Sequence, residues 1–298
     1  TLRNLAGKRV LVRVDFNVPL DEDGKITDTT RLEESLPTIQ YLIKKGARVI
    51  LMSHLGRPKP EKSRSGQSGL MAEFSLKPVA AAFSELLKKP VRFVEDCVGP
   101  KAEKAVEGMK DGDVILLENT RFHEGEEKND PNFAKQLASL GDIFVSDAFG
   151  TVHRAHASTV GVAEFLPAYA GFLLEKEIKA LTPLLKGPAH PVVLIVGGSK
   201  IDTKIGVLKN FLNKADTFII GGGLANTFLA GEGYDVGASL YEKNKVEVAQ
   251  EIMLAAEKST KGMRERFLLP EDVVVADEVK EDVEVLDLPI DDVELDMR

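Results

Sequence analysis

The chain has 298 residues, of which 43% are hydrophobic and 29% charged, and this balance is typical of a globular protein large enough for two domains. Its net charge of −8 is concentrated in residues 271–298, which hold 12 Asp and Glu against 2 Lys and Arg. The nearly neutral remainder carries no basic stripe, so we expect no nucleic-acid partner. No apolar run is long enough for a membrane span, and the single cysteine excludes an intramolecular disulfide and fits a cytoplasmic location.

Five short apolar runs each end in a polar or glycine-rich cluster. In the first half of the chain, VLVRV leads to Asp15, RVILM to His54 and DVILL to Arg121. In the second half, VVLIV leads to Gly198 and TFII to Gly222. Runs of this kind predict buried parallel strands. Because ligands of open α/β sheets bind outside the carboxyl ends of the strands, these clusters are where a ligand is expected.

Helix-like segments alternate with the apolar runs. Thr30 predicts the cap of a helix over residues 31–45 that stops at Gly46. Asp130 followed by Pro131 predicts the start of another helix. The alternation of strands and helices predicts parallel sheets with helices on both faces.

Residues 173–186 have helical periodicity and separate two strand-rich halves of the chain. Gly187 and Pro188 interrupt the helical pattern. We therefore predict two α/β domains, residues 1–172 and 188–298, joined by a hinge helix over 173–187, with a cleft between them. The alternative is one larger sheet in which this segment is an ordinary core helix.

The first half carries basic residues at the predicted strand ends and at the start of its first helix. They are Arg31, His54, Arg57, Arg121 and Arg154. One such residue alone is commonly a solvated surface charge, but several at equivalent positions indicate an anion carrying a phosphate and a carboxylate. Asp15 and Asn17 can exchange hydrogen bonds with hydroxyl groups of the same ligand.

The second half contains a strand, a glycine turn and a helix start in the sequence GGSKIDTK, which holds Gly198, Lys200 and Lys204. Lysines beside a helix N-terminus favour phosphate. Gly222 and Gly223 follow the next strand and allow a flat ring or a phosphate to approach the backbone. The alternative is a pair of tight turns with solvated lysines.

Six sequence blocks resemble the signature blocks of the phosphoglycerate kinase family, in that family's order. They are RVDFNVP (13–19), SHLGRP (53–58), LLENTRF (116–122), DAFGTVHRAHAS (147–158), GGSKIDTKIGV (197–207) and IIGGGLA (219–225). The resemblance implies two doubly wound, Rossmann-like domains joined by a hinge helix. It also implies reversible, in-line phosphoryl transfer in the interdomain cleft, from 1,3-bisphosphoglycerate to MgADP, which yields 3-phosphoglycerate and MgATP in glycolysis.

The resemblance assigns roles residue by residue. The phosphoglycerate would be bound by Asp15, Asn17, Arg31, His54, Arg57, Arg121 and Arg154. Lys200 and Arg31 would stabilise the transferring phosphoryl group. The nucleotide would be bound by Gly198, Lys200, Lys204, Gly222 and Gly223. Mg²⁺ would be carried by ATP or ADP, with no metal ligand among these 298 residues, and the protein would be a cytoplasmic monomer.

Members of the family continue past the position equivalent to Arg298, with blocks NGPMGVFE and GGGDS/T that complete the nucleotide and magnesium site. We therefore expect the second domain to be truncated at its C-terminus. One alternative function is a phosphoglycerate- or anion-binding protein without turnover. A nicotinamide-dependent dehydrogenase is a further alternative, against which the absence of a GxGxxG sequence counts, and no P-loop sequence occurs either.

Overall fold

The computed structural model describes residues 5–58, 72–257, 267–278 and 280–293. The chain divides into two compact units, Thr1–Ala180 and Leu181–Arg298. The division falls within a helix, Phe172–Lys186, in the segment for which the sequence predicts a connecting helix. No helix of the described residues is both long and apolar enough to cross a membrane.

The first unit is built on a six-stranded, all-parallel sheet. Its strands are β1 (Arg9–Val14), β2 (Arg48–Met52), β3 (Val91–Val94), β4 (Val114–Leu117), β5 (Ile143–Asp147) and β6 (Ala168–Ala170). Their order across the sheet is β3-β4-β2-β1-β5-β6. The three apolar runs predicted to be strands in this half form β1, β2 and β4, which are central or nearly central in the sheet.

Helices cover both faces of this sheet. The helices are α1 (Thr30–Lys44), α2 (Lys77–Leu87), α3 (Gly99–Glu107) and α4 (Pro131–Ser139). Alternate residues of β1 enter opposite cores: Val10 and Val12 pack in the core that holds α1 and α2, whereas Leu11 packs in the core that holds α3 and α4. This alternation confirms the predicted doubly wound arrangement, because both faces of a parallel sheet must be buried.

The helix starts differ in how well the sequence predicted them. Asp130 caps α4 as predicted, with its Oδ1 accepting a hydrogen bond from Phe133 N at 2.8 Å. Helix α1 begins one residue earlier than predicted, because its N-cap position is Thr29 rather than Thr30. The Thr29 hydroxyl donates to the Glu33 carboxylate at 2.6 Å instead of capping a backbone amide.

Helix α5 (Phe172–Lys186) begins at a buried carboxylate of the first unit. Asp147 Oδ1, at the end of β5, accepts hydrogen bonds from Leu173 N at 2.9 Å and from Leu174 N at 3.3 Å. Phe172 N donates to Thr38 Oγ1 of α1 at 2.8 Å. Burial raises the pKa of the Asp147 carboxyl group. Two other elements, β5 and α1, therefore fix the start of α5.

The second unit contains a parallel sheet of three described strands and a separate antiparallel pair. The parallel strands, in the order β7-β8-β9, are β7 (Val193–Gly197), β8 (Thr217–Gly221) and β9 (Phe267–Leu268). The antiparallel pair is β10 (Asp272–Ala276) and β11 (Val285–Pro289). The helices are α6 (Ile205–Phe211), α7 (Gly223–Glu232) and α8 (Val246–Glu257). Strands β7 and β8 confirm the two predicted runs, whereas the antiparallel pair was not predicted.

The described helices bury one face of the β7-β8-β9 sheet. Val196, Phe218 and Ile220 point into a core with residues of α6, α7 and α8. On the other face, Val193 and Ile195 are 52% and 75% exposed. The prediction of helices on both faces is therefore fulfilled in the first unit but not within the described residues of the second.

The ion pair between Arg9 and Asp142 links β1 to the turn before β5 and makes a pH-dependent contribution to stability. Arg9 Nη2 lies 2.7 Å from Asp142 Oδ1, and Arg9 N donates to Oδ2 at 2.9 Å. The hydrogen bonds from the Arg9 side chain are the main cause that lowers the pKa of Asp142. Both side chains are about one-third exposed, so we expect Asp142→Asn to lower the free energy of unfolding by only about 1 kcal/mol at pH 7.

Because the pKa of Asp142 is lower in the folded state, its contribution is complete above the unfolded pKa near 3.9 and is lost as the pH falls through the folded pKa. Urea titrations of both proteins at neutral and at strongly acidic pH measure this difference. The matched control is Glu85→Gln, which alters an exposed carboxylate of α2. An Asp142→Asn deficit that persists unchanged in acid would contradict the assignment.

Candidate functional site

Hydrogen bonds join the loops that follow β1, β2 and β4. Phe16 N donates to Ser53 Oγ at 2.9 Å, and Thr120 N donates to Ser53 O at 3.1 Å. Asn119 Nδ2 donates to Leu55 O at 2.8 Å. These contacts hold the three loops together at the carboxyl edge of the sheet, which is the edge where the sequence predicts a ligand site.

Arg121 is a nearly buried cation on this surface, with its side chain 7% exposed. Its Nη1 donates to Gly56 O at 2.7 Å, and its Nη2 lies 2.9 Å from Glu127 Oε1. The Nε–H of Arg121 is buried and has no partner in the described part of the chain. Gly56 N in turn donates to Asn17 Oδ1 at 2.8 Å, so the loop after β2 connects two residues of the predicted site.

Gly56 is required at this position for two reasons. Its φ of +61° lies in the left-handed region that side chains disfavour, and an added Cβ would overlap the ring of Phe74. A side chain here would displace the backbone groups that hold Asn17 and Arg121.

Arg31 and Asp15 form a direct ion pair at the same edge. Arg31 Nη1 lies 2.5 Å from Asp15 Oδ2, with the arginine side chain 49% exposed and the aspartate 12% exposed. Asp15 Oδ1 is buried without a partner among the described residues. An added Cβ at Gly150 would come within 2.7 Å of Asp15 Oδ2, so the loop after β5 also packs closely on this carboxylate. The pair offers an exposed guanidinium and an unused acceptor.

His54 lies among several cations. Burial, Arg13, Arg121 and Arg154, in that order, lower the pKa of His54 to about 2. Burial is the main cause that lowers the pKa of Arg121, and the nearby charges of Arg154 and Arg57 lower it further. Neither Arg57 nor Arg154 forms an ion pair with another described residue. Like charges held together in this way create a positive potential that favours an anion.

The structure thus places all seven residues predicted to bind phosphoglycerate in the first unit. Arg57, Arg121 and Arg154 form one mutually repelling group of cations around the uncharged ring of His54, Arg31 pairs with Asp15, and Asn17 is connected to Arg121 through Gly56.

Three buried residues of this region were not predicted from the sequence. Arg13 is 1% exposed, and its Nε donates to Ser158 Oγ at 2.7 Å. The Ser158 hydroxyl donates to Glu126 Oε1 at 2.5 Å, and Glu126 is fully buried. Arg13 Nη2 lies 3.2 Å from His54 Nδ1. The available signal was the single charged residue within the otherwise apolar run VLVRV, because an arginine in a buried strand needs polar partners.

The glycine turns after β7 and β8 lie against each other. Gly198 and Gly222 have φ angles of +144° and +66°. Leu224 N donates to Gly198 O at 2.7 Å, and an added Cβ on Gly222 would lie 3.3 Å from the same oxygen. An added Cβ on Gly223 would lie 3.2 Å from Leu240 O. The turns therefore need glycine for close backbone packing as well as for conformation.

Both predicted lysines precede α6. Lys204 occupies the N-cap position, and Lys200 is exposed four residues earlier. Both lysines therefore lie in the entry turn of α6 and not within the helix itself. Backbone hydrogen bonds from Lys204 N and Ile205 N to Ile201 O form this turn.

A cavity of about 360 Å³ adjoins the glycine turns within the second unit. Gly222 and Gly223 line it together with the apolar side chains of Val236, Val274 and Ile290. Cavities of this size and composition hold small organic ligands. The cavity and the two lysines are the features of this unit that suit a nucleotide.

Two of the described carboxylates near these turns already have partners. Asp202 pairs with Lys245 at 2.8 Å, and Glu242 accepts a hydrogen bond from Ile201 N. Mg²⁺ in nucleotide sites is commonly bound by one or two carboxylates and by phosphates. We assign neither of these two carboxylates to Mg²⁺.

In the first unit, Asp96, Cys97 and His123 place potential metal-ligand atoms within 4.8 Å of one another. His123 Nε2 and Asp96 Oδ1 are paired with each other at 2.8 Å. Burial raises the pKa of the Cys97 thiol well above its usual value, and the thiolate is the form that binds metals. We assign no metal to this group.

Known proteins are similar to this chain over nearly its whole length. The family model for phosphoglycerate kinase matches residues 2–297. A phosphoglycerate kinase from Dictyoglomus turgidum is 53% identical over 293 residues, which cover 98% of this chain and 70% of that protein. Another from Moorella thermoacetica is 56% identical over 285 residues, covering 95% of this chain and 69% of that protein.

A solved structure of phosphoglycerate kinase from Coxiella burnetii has a TM-score of 0.79 and 44% sequence identity, and the match covers 100% of this chain and 72% of that chain. A match of this extent shows a common fold as well as a common sequence. The six sequence blocks, the two α/β units and the family model agree: this chain belongs to the phosphoglycerate kinase family and is a transferase.

Proposed function

We propose that this enzyme transfers a phosphoryl group reversibly between 1,3-bisphosphoglycerate and MgADP, with 3-phosphoglycerate and MgATP as products. The observation that carries the proposal is the cation group of Arg57, Arg121 and Arg154, with the neutral His54 beside it, at the carboxyl edge of the first sheet. Its net positive charge and the unused Nε–H of Arg121 suit a ligand with several negative charges.

In this proposal the first unit binds the phosphoglycerate. The cation group binds its charged oxygens, and Arg121 is fixed in advance by Gly56 and Glu127. Asp15 and Asn17 are suited to the hydroxyl groups, because Asp15 retains an unused acceptor and Asn17 is held by Gly56. Arg31 is exposed enough to leave Asp15 and contact the phosphoryl group that moves.

The second unit binds the nucleotide in this proposal. The cavity beside Gly222 and Gly223 accepts the apolar part of the ligand, and Gly198 allows the phosphates to approach the backbone. Lys204 binds a phosphate of the nucleotide, and Lys200 stabilises the transferring group. Mg²⁺ enters with the nucleotide and neutralises phosphate charge, and no ligand for it is assigned to this chain.

Phosphoryl transfer of this kind depends on positioning and on positive charge around the transferring group. Arg31 and Lys200 are the two residues to which we assign that charge. The carboxylate or acyl phosphate of the substrate is itself the reacting group, so no nucleophile or general base of the protein is required. We also propose that the enzyme is a cytoplasmic monomer, in line with the family resemblance.

A phosphotransfer assay tests the proposed reaction. The protein, expressed as its gene encodes it, is mixed with MgATP and 3-phosphoglycerate, and ADP formation is measured. We expect ADP to form only when 3-phosphoglycerate is present, and to form little with glycerol 3-phosphate, which lacks the acceptor carboxylate. ADP formation that is independent of 3-phosphoglycerate, or equal with both acceptors, would contradict the proposal.

The two lysines should have separable effects. Lys200→Ala should lower kcat with little change in the Kd for the nucleotide, because we assign Lys200 to the transition state. Lys204→Ala should weaken nucleotide binding first, because Lys204 lies at the helix entry beside the Gly198 turn. Titration calorimetry and steady-state kinetics measure both effects, with Lys209→Ala on α6 as the matched control. The opposite pattern would exchange the two roles.

A further inference from the structure

The buried contact between Arg13 and His54 has a chemical consequence for the anion site. Arg13 Nη2 lies 3.2 Å from His54 Nδ1. A guanidinium has only donors and stays protonated in proteins, so the ring nitrogen that faces it must act as the acceptor. A neutral imidazole carries one proton, and this proton is then on Nε2. No described residue forms a hydrogen bond with His54 Nε2.

Arg13 is itself held in one orientation by the atoms around it. Its Nε donates to Ser158 Oγ at 2.7 Å, and its Nη1 donates to Val14 O at 2.5 Å. The Ser158 hydroxyl in turn donates a hydrogen bond to Glu126 Oε1 at 2.5 Å, and Glu126 Oε2 accepts another from Ser158 N at 3.0 Å. The guanidinium therefore has a fixed position in a site that excludes water, with a buried counter-charge nearby.

We propose that Arg13 is a positioning residue that fixes the proton of His54 on Nε2 and so presents His54 to the anionic ligand as a neutral hydrogen-bond donor. The ligand part of this inference rests on the proposed function. The part that concerns the ring does not, because the position of a proton on His54 can be measured without any ligand.

The charges around His54 support its neutral state. Arg13 lies on β1, Arg121 follows β4, and Arg154 and His156 follow β5, and all four lower the pKa of His54, after burial. The pKa of about 2 leaves the ring neutral throughout the range near pH 5 to 8 in which an ordinary histidine titrates. The contribution of His54 to ligand binding should therefore not change across that range.

The test removes the Arg13 side chain without leaving a buried charge. In Arg13→Met/Glu126→Gln both members of the buried pair become neutral, and such a replacement is far better tolerated than the loss of one partner. The new amide can donate to Ser158 Oγ, which no longer accepts from Arg13. The control is Arg9→Met, which removes another arginine of β1, one that pairs with Asp142 at the opposite end of the strand.

Nitrogen NMR of the imidazole rings shows directly which ring nitrogen carries the proton. The His54 signals are assigned by their loss in His54→Gln. We expect wild-type protein and Arg9→Met to show a neutral His54 with its proton on Nε2 from about pH 5 to 8. The double variant should lose that preference, and its His54 pKa should rise toward the ordinary value near 6.5. A proton on Nδ1 or a charged ring in the wild type, or an unchanged ring in the double variant, would overturn the proposal.

Titration with 3-phosphoglycerate supplies the second readout. We expect the double variant to bind roughly three- to tenfold more weakly near neutral pH, since one oriented hydrogen bond is lost. Relative to the wild type, its affinity should recover as the pH falls and His54 becomes charged. Unchanged affinity at every pH would contradict the ligand part of the inference. If the wild type does not bind 3-phosphoglycerate at all, the proposed function fails, whereas the ring spectra still decide the role of Arg13.

Discussion

Replacement of Arg31 by alanine should reduce the kcat of phosphoryl transfer by roughly 10²- to 10³-fold, which corresponds to about 3–4 kcal/mol of transition-state stabilisation. The structure shows the Arg31 guanidinium half-exposed and joined to the binding surface through Asp15 at 2.5 Å. Such a group can be oriented before the reaction and still reach the transferring phosphoryl group. Charge that is fixed in advance in this way is the main contribution a protein makes to phosphoryl transfer.

Steady-state kinetics with 3-phosphoglycerate and MgATP measure this effect. The matched control is Arg48→Ala, which removes an arginine from the opposite end of β2, where it pairs with Asp111. Arg31→Lys separates charge from shape, because lysine keeps the charge but lacks the planar fork, and we expect it to recover part of the activity. Wild-type turnover in Arg31→Ala would remove Arg31 from the mechanism.

The second large effect concerns stability rather than turnover. Glu126→Ala should lower the free energy of unfolding by about 3–5 kcal/mol, because it leaves the Arg13 guanidinium buried without this counter-charge. It also removes the acceptor of the two hydrogen bonds that Ser158 donates. Urea denaturation followed by circular dichroism measures the loss.

Glu124→Ala is the matched control for that substitution. Glu124 is 44% exposed and pairs with Lys128 four residues later at 3.3 Å, a type of pair that contributes about 0.3–0.5 kcal/mol. The double variant Arg13→Met/Glu126→Gln should be clearly more stable than Glu126→Ala, because it leaves no unpaired charge. Equal losses in Glu126→Ala and Glu124→Ala would show that the buried pair has no special role.

The sequence predicted those parts of the fold that have a local signal. The runs that form β1, β2, β4, β7 and β8 are continuous and apolar, as buried parallel strands must be. The short edge strand β6 and strand β11 are largely exposed and carry no such signal, whereas the apolar run of β10 was not predicted although it is continuous. The predicted roles of the two domains stay proposals.

The sequence predicted those residues of the candidate site that directly follow strands. It did not predict the residues that are buried beneath the site. His54 and Arg121 stand in the clusters after β2 and β4, so topology alone brings them to one edge. Glu126 and Ser158 come from loops far apart in the chain, and only the folded structure shows that they meet Arg13. The charge of Arg13 within an apolar strand was the one local sign of that buried network.

Calorimetric titration of the protein with 3-phosphoglycerate, and separately with inorganic phosphate, tests most directly the claim that the cation group binds a phosphoglycerate. We predict one saturable site that binds 3-phosphoglycerate at least about tenfold more tightly than phosphate, because each additional charge-assisted hydrogen bond contributes about 1.5–3 kcal/mol. Binding should weaken as salt is added, since the partly exposed cations are screened. Equal affinity for both anions, or no binding of 3-phosphoglycerate at millimolar concentration, would contradict the account.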